Sequence, residues 1–197
     1  RLAQAMIRDR RYDNLFLIPA AQTRDKSAVS PDDMIRLCDE LRSEADFIIM
    51  DSPAGIERGF RNALAPSDEV VVITNPEVSA VRDADRIIGL IEAEEKGPAK
   101  LVINRLNPGM VKRGDMLSAD DVVELLAVEL IGIVPEDEAV LVSTNHGQPV
   151  VLNLKSKAGQ TFLNIGKRLM GEDVPWLVLE DKSGLFTRIS KIFSGGL

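Results

Sequence analysis

Apolar residues collect in short runs at 15–18, 47–50, 70–73, 101–103 and 130–134, the last broken only by Gly132. Runs of this length without polar alternation predict strands covered on both faces, the pattern of a parallel sheet. Between them the spacing becomes helical. Ser30, Pro31, Asp32 and Asp33 form a helix start, with a hydroxyl for the free N–H groups, a proline suited to the first position and acids at the positive end of the dipole. Met34, Leu37, Cys38 and Leu41 then share one stripe. A second helix is predicted from residue 79 to about 95, with Val81, Ala84, Ile87, Ile88 and Ile91 inward and Arg82, Asp83, Arg86 and Glu92 outward. Residues 118–128 and 156–170 are further helical candidates. Strand and helix alternating in this way predict a doubly wound α/β fold, its sheet mostly parallel and its crossovers right-handed.

Composition adds boundaries to this picture. The 197 residues, 45% hydrophobic, suffice for one core of ordinary size. A single cysteine cannot form an internal disulfide, and its place on the inward stripe assigns Cys38 to packing. His146, the single histidine, precedes Gly147 at a predicted helix end and reads as a cap or a solvated group. No apolar run approaches the roughly 18 residues of a membrane span, so a soluble or surface-attached protein is expected. The net charge of -7 argues against nucleic acid as the main partner, since phosphate neutralisation needs a basic face.

Charge is uneven, however. Residues 171–180, with Pro175 and Trp176, read as a closing segment and 181–184 as a linker; from there Lys182, Arg188 and Lys191 stand against Asp181 alone. On a helical wheel Leu185, Phe186, Ile189, Ile192 and Phe193 share an arc of about 120°, with Arg188 and Lys191 opposite. The expected division is therefore 1–180, an α/β domain, and 181–197, a linker with an amphipathic helix. A cationic amphipathic helix at a chain end can lie in an anionic lipid surface, or can dock on the domain's own core.

For chemistry, the most informative stretch runs from Asp46 to Gly55. A buried strand would deliver Asp51 at its carboxyl end, the edge where open α/β sheets bind ligands, and Pro53 and Gly55 would turn the chain. A carboxylate there can hold hydrated Mg²⁺ on nucleotide phosphates, and Gly55 lets backbone approach a phosphate; it can equally be a plain strand end. The other strand ends lead into Thr74 to Glu77, Asn104 to Gly109 and Pro135 to Asp137. Each alone is ordinary turn chemistry, and together they suggest a site able to read a base and ribose.

Four stretches in order carry a resemblance: Phe47-Ile-Ile-Met-Asp-Ser-Pro-Ala-Gly-Ile-Glu57, Ile73-Thr-Asn-Pro-Glu-Val-Ser-Ala-Val-Arg-Asp-Ala-Asp-Arg86, Asn107-Pro-Gly-Met-Val-Lys-Arg-Gly-Asp-Met-Leu117 and Gly132-Ile-Val-Pro-Glu-Asp137. With Pro19-Ala-Ala-Gln-Thr-Arg-Asp-Lys26 they resemble the MinD family of septum-site-determining ATPases, relatives of ParA-type partition proteins with a deviant phosphate loop. The resemblance implies ATP and Mg²⁺ as cofactors. Asp51 would sit in the second nucleotide motif holding the metal through water, Gly55 near the γ-phosphate, and Asn104 with Pro135, Glu136 and Asp137 near adenine. It also implies an ATP-dependent homodimer, a MinE-like activator and a MinC-like division inhibitor docking near Arg82, Asp83, Asp85 and Arg86, and a reversible anchor at 181–197. Such a protein would be cytoplasmic and peripheral on the inner face of the cell membrane, or on the stromal side in a plastid.

One departure is large. The family's glycine-rich lysine motif of the kind G-x-x-x-x-G-K-[ST] occurs nowhere in the sequence. A chain opening at Arg1 with its other motifs intact is therefore expected to be a truncated product that has no catalytic residue of its own and is inactive alone. A ParA-like DNA-partition ATPase and a non-catalytic membrane-surface scaffold are the alternatives.

Overall fold

The computed structural model describes residues 2–19 and 29–179. A parallel three-stranded sheet organises most of them: β3 (Val71–Thr74), β4 (Lys100–Leu106) and β5 (Glu129–Pro135) lie in that order. Before it come α1 (Leu2–Ala5), an antiparallel pair β1 (Ile7–Arg8) and β2 (Phe16–Leu17), α2 (Pro31–Leu41) and α3 (Arg58–Leu64). Helix α4 (Val78–Ala93) connects β3 to β4, and α5 (Pro108–Arg113) with α6 (Ala119–Leu126) connects β4 to β5. Helix α7 (Glu138–Asn145), a 3₁₀ turn (Val150–Leu152) and α8 (Lys157–Leu169) follow.

Helices cover both faces of the sheet, as the doubly wound expectation requires. On one face Val72, Leu101, Ile103, Leu130 and Ile133 pack with Val81, Ile88 and Ile91 of α4, Val122 and Leu126 of α6, and Phe60 and Leu64 of α3. On the other, Val102, Ile131 and Val134 meet Ala158 and Ile165 of α8. Full burial of each large aliphatic chain contributes about 1.5–3 kcal/mol. The predicted helices form with caps in place: Ser30 and Ser118 each build a reciprocal capping box with the aspartate three residues on, and Ser156 caps α8. Cys38 is buried on α2, where burial pushes its thiol pKa up, in keeping with a packing role.

Two predicted strands do not join the parallel sheet. Residues 47–50 form no strand and pair with none, leaving Phe47 67% and Ile49 92% exposed. Of 15–18 only β2 is a strand, and it pairs antiparallel with β1 while Leu15, Phe16 and Leu17 stay exposed. An apolar run supplies the burial incentive for a strand, whereas the ladder needs a neighbour, and among the described residues neither run has one within the parallel sheet.

Two register irregularities shape the sheet. Leu101 faces Leu130 but Val102 faces Gly132, so Ile131 is an extra residue in β5. Both Ile131 and Gly132 consequently address α8, and a Cβ on Gly132 would come within 2.3 Å of Ile165 Cγ1. Toward the carboxyl end, β4 spends three steps from Ile103 to Leu106 where β5 spends two, and Arg105 takes a left-handed φ of 56°.

Gly159, in the first turn of α8, lies against backbone: an added Cβ would sit 2.5 Å from the carbonyl oxygens of Asn153 and Val150. Carbonyls that cannot rotate away make this a costlier substitution than one facing a flexible side chain. Gly159→Ala is expected to destabilise the fold by about 2–3 kcal/mol, read as a melting temperature lowered by about 5–10 °C.

Candidate functional site

At the carboxyl edge of the sheet the strand ends interlock through side chains. Glu136, just past β5, accepts hydrogen bonds from Asn107 Nδ2 at 3.0 Å and Arg105 Nη2 at 3.2 Å. Asn107, followed by Pro108 at the first helical position, also accepts from the Met110 N–H and so caps α5. These donors, Asn107 first and Arg105 second, hold the Glu136 carboxyl below its ordinary pKa. The β4 bulge is what brings Arg105 to Glu136: its extra residue and left-handed φ turn the guanidinium across to the end of β5. Asn104 lies inside β4 rather than beyond its end, half-buried in the same bulge, and Pro135 closes β5. The structure thus gathers Asn104, Arg105, Asn107, Pro135 and Glu136 at one edge.

Asp137 belongs to the architecture beneath. Its carboxylate accepts from Ala139 N at 2.9 Å, Ser156 Oγ at 2.7 Å and Ala158 N at 3.3 Å, tying the amino-terminal ends of α7 and α8 together. Burial pushes the Asp137 pKa up, but the Ser156 hydroxyl and these N–H groups outweigh it and hold the carboxyl below the usual range. Its neighbour Glu136 remains the exposed acid of the pair.

Asp51 sits in the exposed, irregular segment that precedes α3, and among the described residues its carboxylate makes no hydrogen bond or ion pair. Gly55 takes a φ of 94° with open space around it, a conformation a side chain would strain. Just beyond, Gly59 lets α3 pack on Pro53, whose Cγ would lie 2.5 Å from an added Cβ. No group of three or more His, Cys, Asp or Glu able to hold a metal occurs among the described residues. A lone, unpartnered carboxylate nevertheless suits Mg²⁺, which keeps most of its water shell and is otherwise held by substrate phosphates.

The outward face of α4 carries Arg82, Asp83, Asp85 and Arg86, all exposed and without an ion pair among the described residues. A cleft of about 520 Å³ opens beside the start of this helix, lined by Pro76, Val78, Met110, Met116, Leu117 and Asp121. His146 caps the end of α7, exposed, as read from the sequence. The residues assigned to an amphipathic helix, Leu185, Phe186, Arg188, Ile189, Lys191, Ile192 and Phe193, lie outside the described residues. No helix among the described residues is long and apolar enough to cross a membrane.

Sequence reasoning missed the β4 bulge and the Asp137 junction. A polar Asn-Arg pair inside an apolar strand signals the first, and the Pro-Glu-Asp run followed by a new helix signals the second.

No family model matches the chain. It is 48% identical over 195 residues to the septum site-determining protein MinD of Synechocystis sp., covering 98% of this chain and 73% of the relative. Against MinD of Bacillus subtilis the identity is 44% over 196 residues, with the same two shares of 98% and 73%. The solved MinD cell division protein of Aquifex aeolicus superposes with a TM-score of 0.81 at 40% identity, over 89% of this chain and 72% of that one. In the MinC:MinD complex from the same organism the TM-score is 0.81 at 41% identity, over 88% and 70%. The chain therefore belongs to the MinD family of septum site-determining proteins, ATPases of division-site placement.

Proposed function

We propose that the protein places the division site as an ATP-dependent dimer that binds the membrane surface reversibly and carries a MinC-like inhibitor under the control of a MinE-like activator. The observation that supports it most is the likeness to MinD at a TM-score of 0.81, including a MinD held in a complex with MinC. Asp51 would accept hydrogen bonds from the water shell of Mg²⁺, and the bare Cα of Gly55 would admit a terminal phosphate. The bound metal would neutralise phosphate charge. Asn104, Pro135 and Glu136 would face the base, with Asp137 holding the turn from below. The segment 181–197 would attach the protein to an anionic inner membrane face.

The phosphate-loop motif, whose backbone donors and lysine hold phosphates, does not occur in these 197 residues. The chain by itself is therefore expected to release phosphate from ATP at the background rate, and to gain turnover when joined to a phosphate-loop segment of the family type. Turnover by the 197-residue chain that Asp51→Ala abolishes would overturn this.

Reversing charges on the exposed face of α4 tests the partner surface. The double change Arg82→Glu with Asp83→Arg is expected to weaken capture of a MinC-like partner by about tenfold, leaving the melting temperature unchanged. Undiminished capture in a pull-down would move the partner surface elsewhere.

A further inference from the structure

Beyond α8 the chain does not leave the domain at once. Residues 172–179 form a strap that passes from the α8 face of the sheet to the opposite core, where Leu179 is buried and Trp176 and Leu177 pack. One side chain holds the crossing. Arg168, near the end of α8, donates from Nη1 to the Ile131 carbonyl at 3.0 Å and from Nη2 to the carbonyls of Val174 at 2.7 Å and Pro175 at 3.2 Å. Its guanidinium also lies 4.1 Å from the centre of the Trp176 ring. Ile131 is the extra residue of the β5 bulge, so this carbonyl is offered on an edge strand with no further neighbour among the described residues. Burial pulls the Arg168 pKa down and Asp173 raises it in opposition, a sign that the guanidinium is committed to the interior side of the strap.

The position of this clasp matters because residues 181–197 follow the strap directly. We propose that Arg168, with Trp176, is the positioning pair of the membrane segment: by clamping the strap it fixes the point from which the amphipathic tail departs. This rests on the membrane reading above. Two tails on one dimer reinforce each other through their effective concentration, which falls roughly as the −3/2 power of tether length once the tether spans the sites. Five residues of the sequence, 180–184, separate buried Leu179 from the expected start of the tail helix at Leu185, and thirteen, 172–184, would do so with the strap released, about 2.6 times as many. Release therefore costs the dimer about fourfold in vesicle affinity and a single chain almost nothing.

Four proteins test this: the full chain, Arg168→Ala, Arg168→Lys and Trp176→Leu, each as it stands and each paired through a leucine zipper at its amino end. A spin label on Val178→Cys, in the Cys38→Ser background, reports strap mobility, and flotation with phosphatidylglycerol vesicles reports affinity. Thermal melting selects the variants that remain folded. The expected result is a label immobile in the parent and mobile in Arg168→Ala and Trp176→Leu. Zipper-paired forms of those two should bind about fourfold more weakly than the paired parent, and the single chains equally well. Arg168→Lys, which keeps charge but loses the fork and the stacking plane, should behave as Arg168→Ala. A mobile strap with unchanged paired binding overturns the proposal, as does an equal loss in single and paired forms, which a merely structural role would give. An immobile label in every variant overturns it too. If the paired parent itself does not float, the membrane reading fails and takes this proposal with it, an outcome distinct from parent binding with unaffected variants.

Discussion

Asp51→Ala or Asp51→Asn, in a chain joined to a phosphate-loop segment of the family type, is expected to lower Mg²⁺-dependent ATP turnover by about a hundredfold or more. The expectation follows from where the carboxylate stands. It is exposed, unpartnered among the described residues and outside every packed cluster, so its removal empties no cavity and orphans no buried donor. The melting temperature should accordingly move by less than about 2 °C. Steady-state phosphate release across a Mg²⁺ titration, alongside a thermal melt, separates the two effects. A variant that turns over ATP at the parent rate would make Asp51 an ordinary turn residue, and one that melts far below the parent would make it a structural one.

The second large effect concerns the tail. Ile189→Glu or Phe193→Glu is expected to abolish attachment to anionic vesicles, because each would set a charge into the apolar arc expected of these residues with Leu185, Phe186 and Ile192. Burying those side chains in lipid would be worth at most about 1.5–3 kcal/mol apiece, offset by the cost of ordering a short helix, so a single tail is expected to bind marginally and to have no reserve. Neutralising Arg188 and Lys191 together should weaken binding and flatten its salt dependence, each cation being worth about 1 kcal/mol near an anionic surface. Sedimentation with vesicles at two salt concentrations reads both. If Ile189→Glu instead lowers the melting temperature by many degrees and leaves vesicle binding intact, the segment docks on its own domain.

How far such features can be read in advance depends on whether their causes are local. The three strands of the parallel sheet and the helices opened by Ser30, Ser118 and Ser156 follow from burial and capping, which neighbouring residues announce. Residues 47–50 carry the same apolar signature as 101–103 and form no strand, because a ladder is a property of two segments and periodicity describes one. Helices α3 and α5, short and weakly patterned, are not legible in the periodicity, and of α7 only the end at His146 is, because packing and the Asn107 and Asp137 caps sustain these helices more than their periodicity does. At the candidate site the polar residues at the strand ends were legible as a group. Their division of labour was not. That Asp137 is consumed by two helix starts while Glu136 faces outward depends on Ser156, nineteen residues away in the chain. That Arg105 reaches Glu136 depends on a bulge one residue long, which the polar Asn104-Arg105 pair marks without fixing its register against β5.

The outer edge of β3 carries a consequence for handling the protein. Among the described residues no strand covers that edge, Ile73 is 64% exposed, and the run holding Phe47 and Ile49 is equally bare. Neither a proline nor a lysine lies within β3 to discourage pairing. Backbone donors and acceptors left open beside apolar side chains form a template on which any extended chain can add. Solutions of these residues should therefore grow turbid with concentration and warmth, through intermolecular strands detectable as a low-frequency amide band. Ile73→Lys should delay that clouding without touching Asn107 and Glu136 at the carboxyl edge of the sheet.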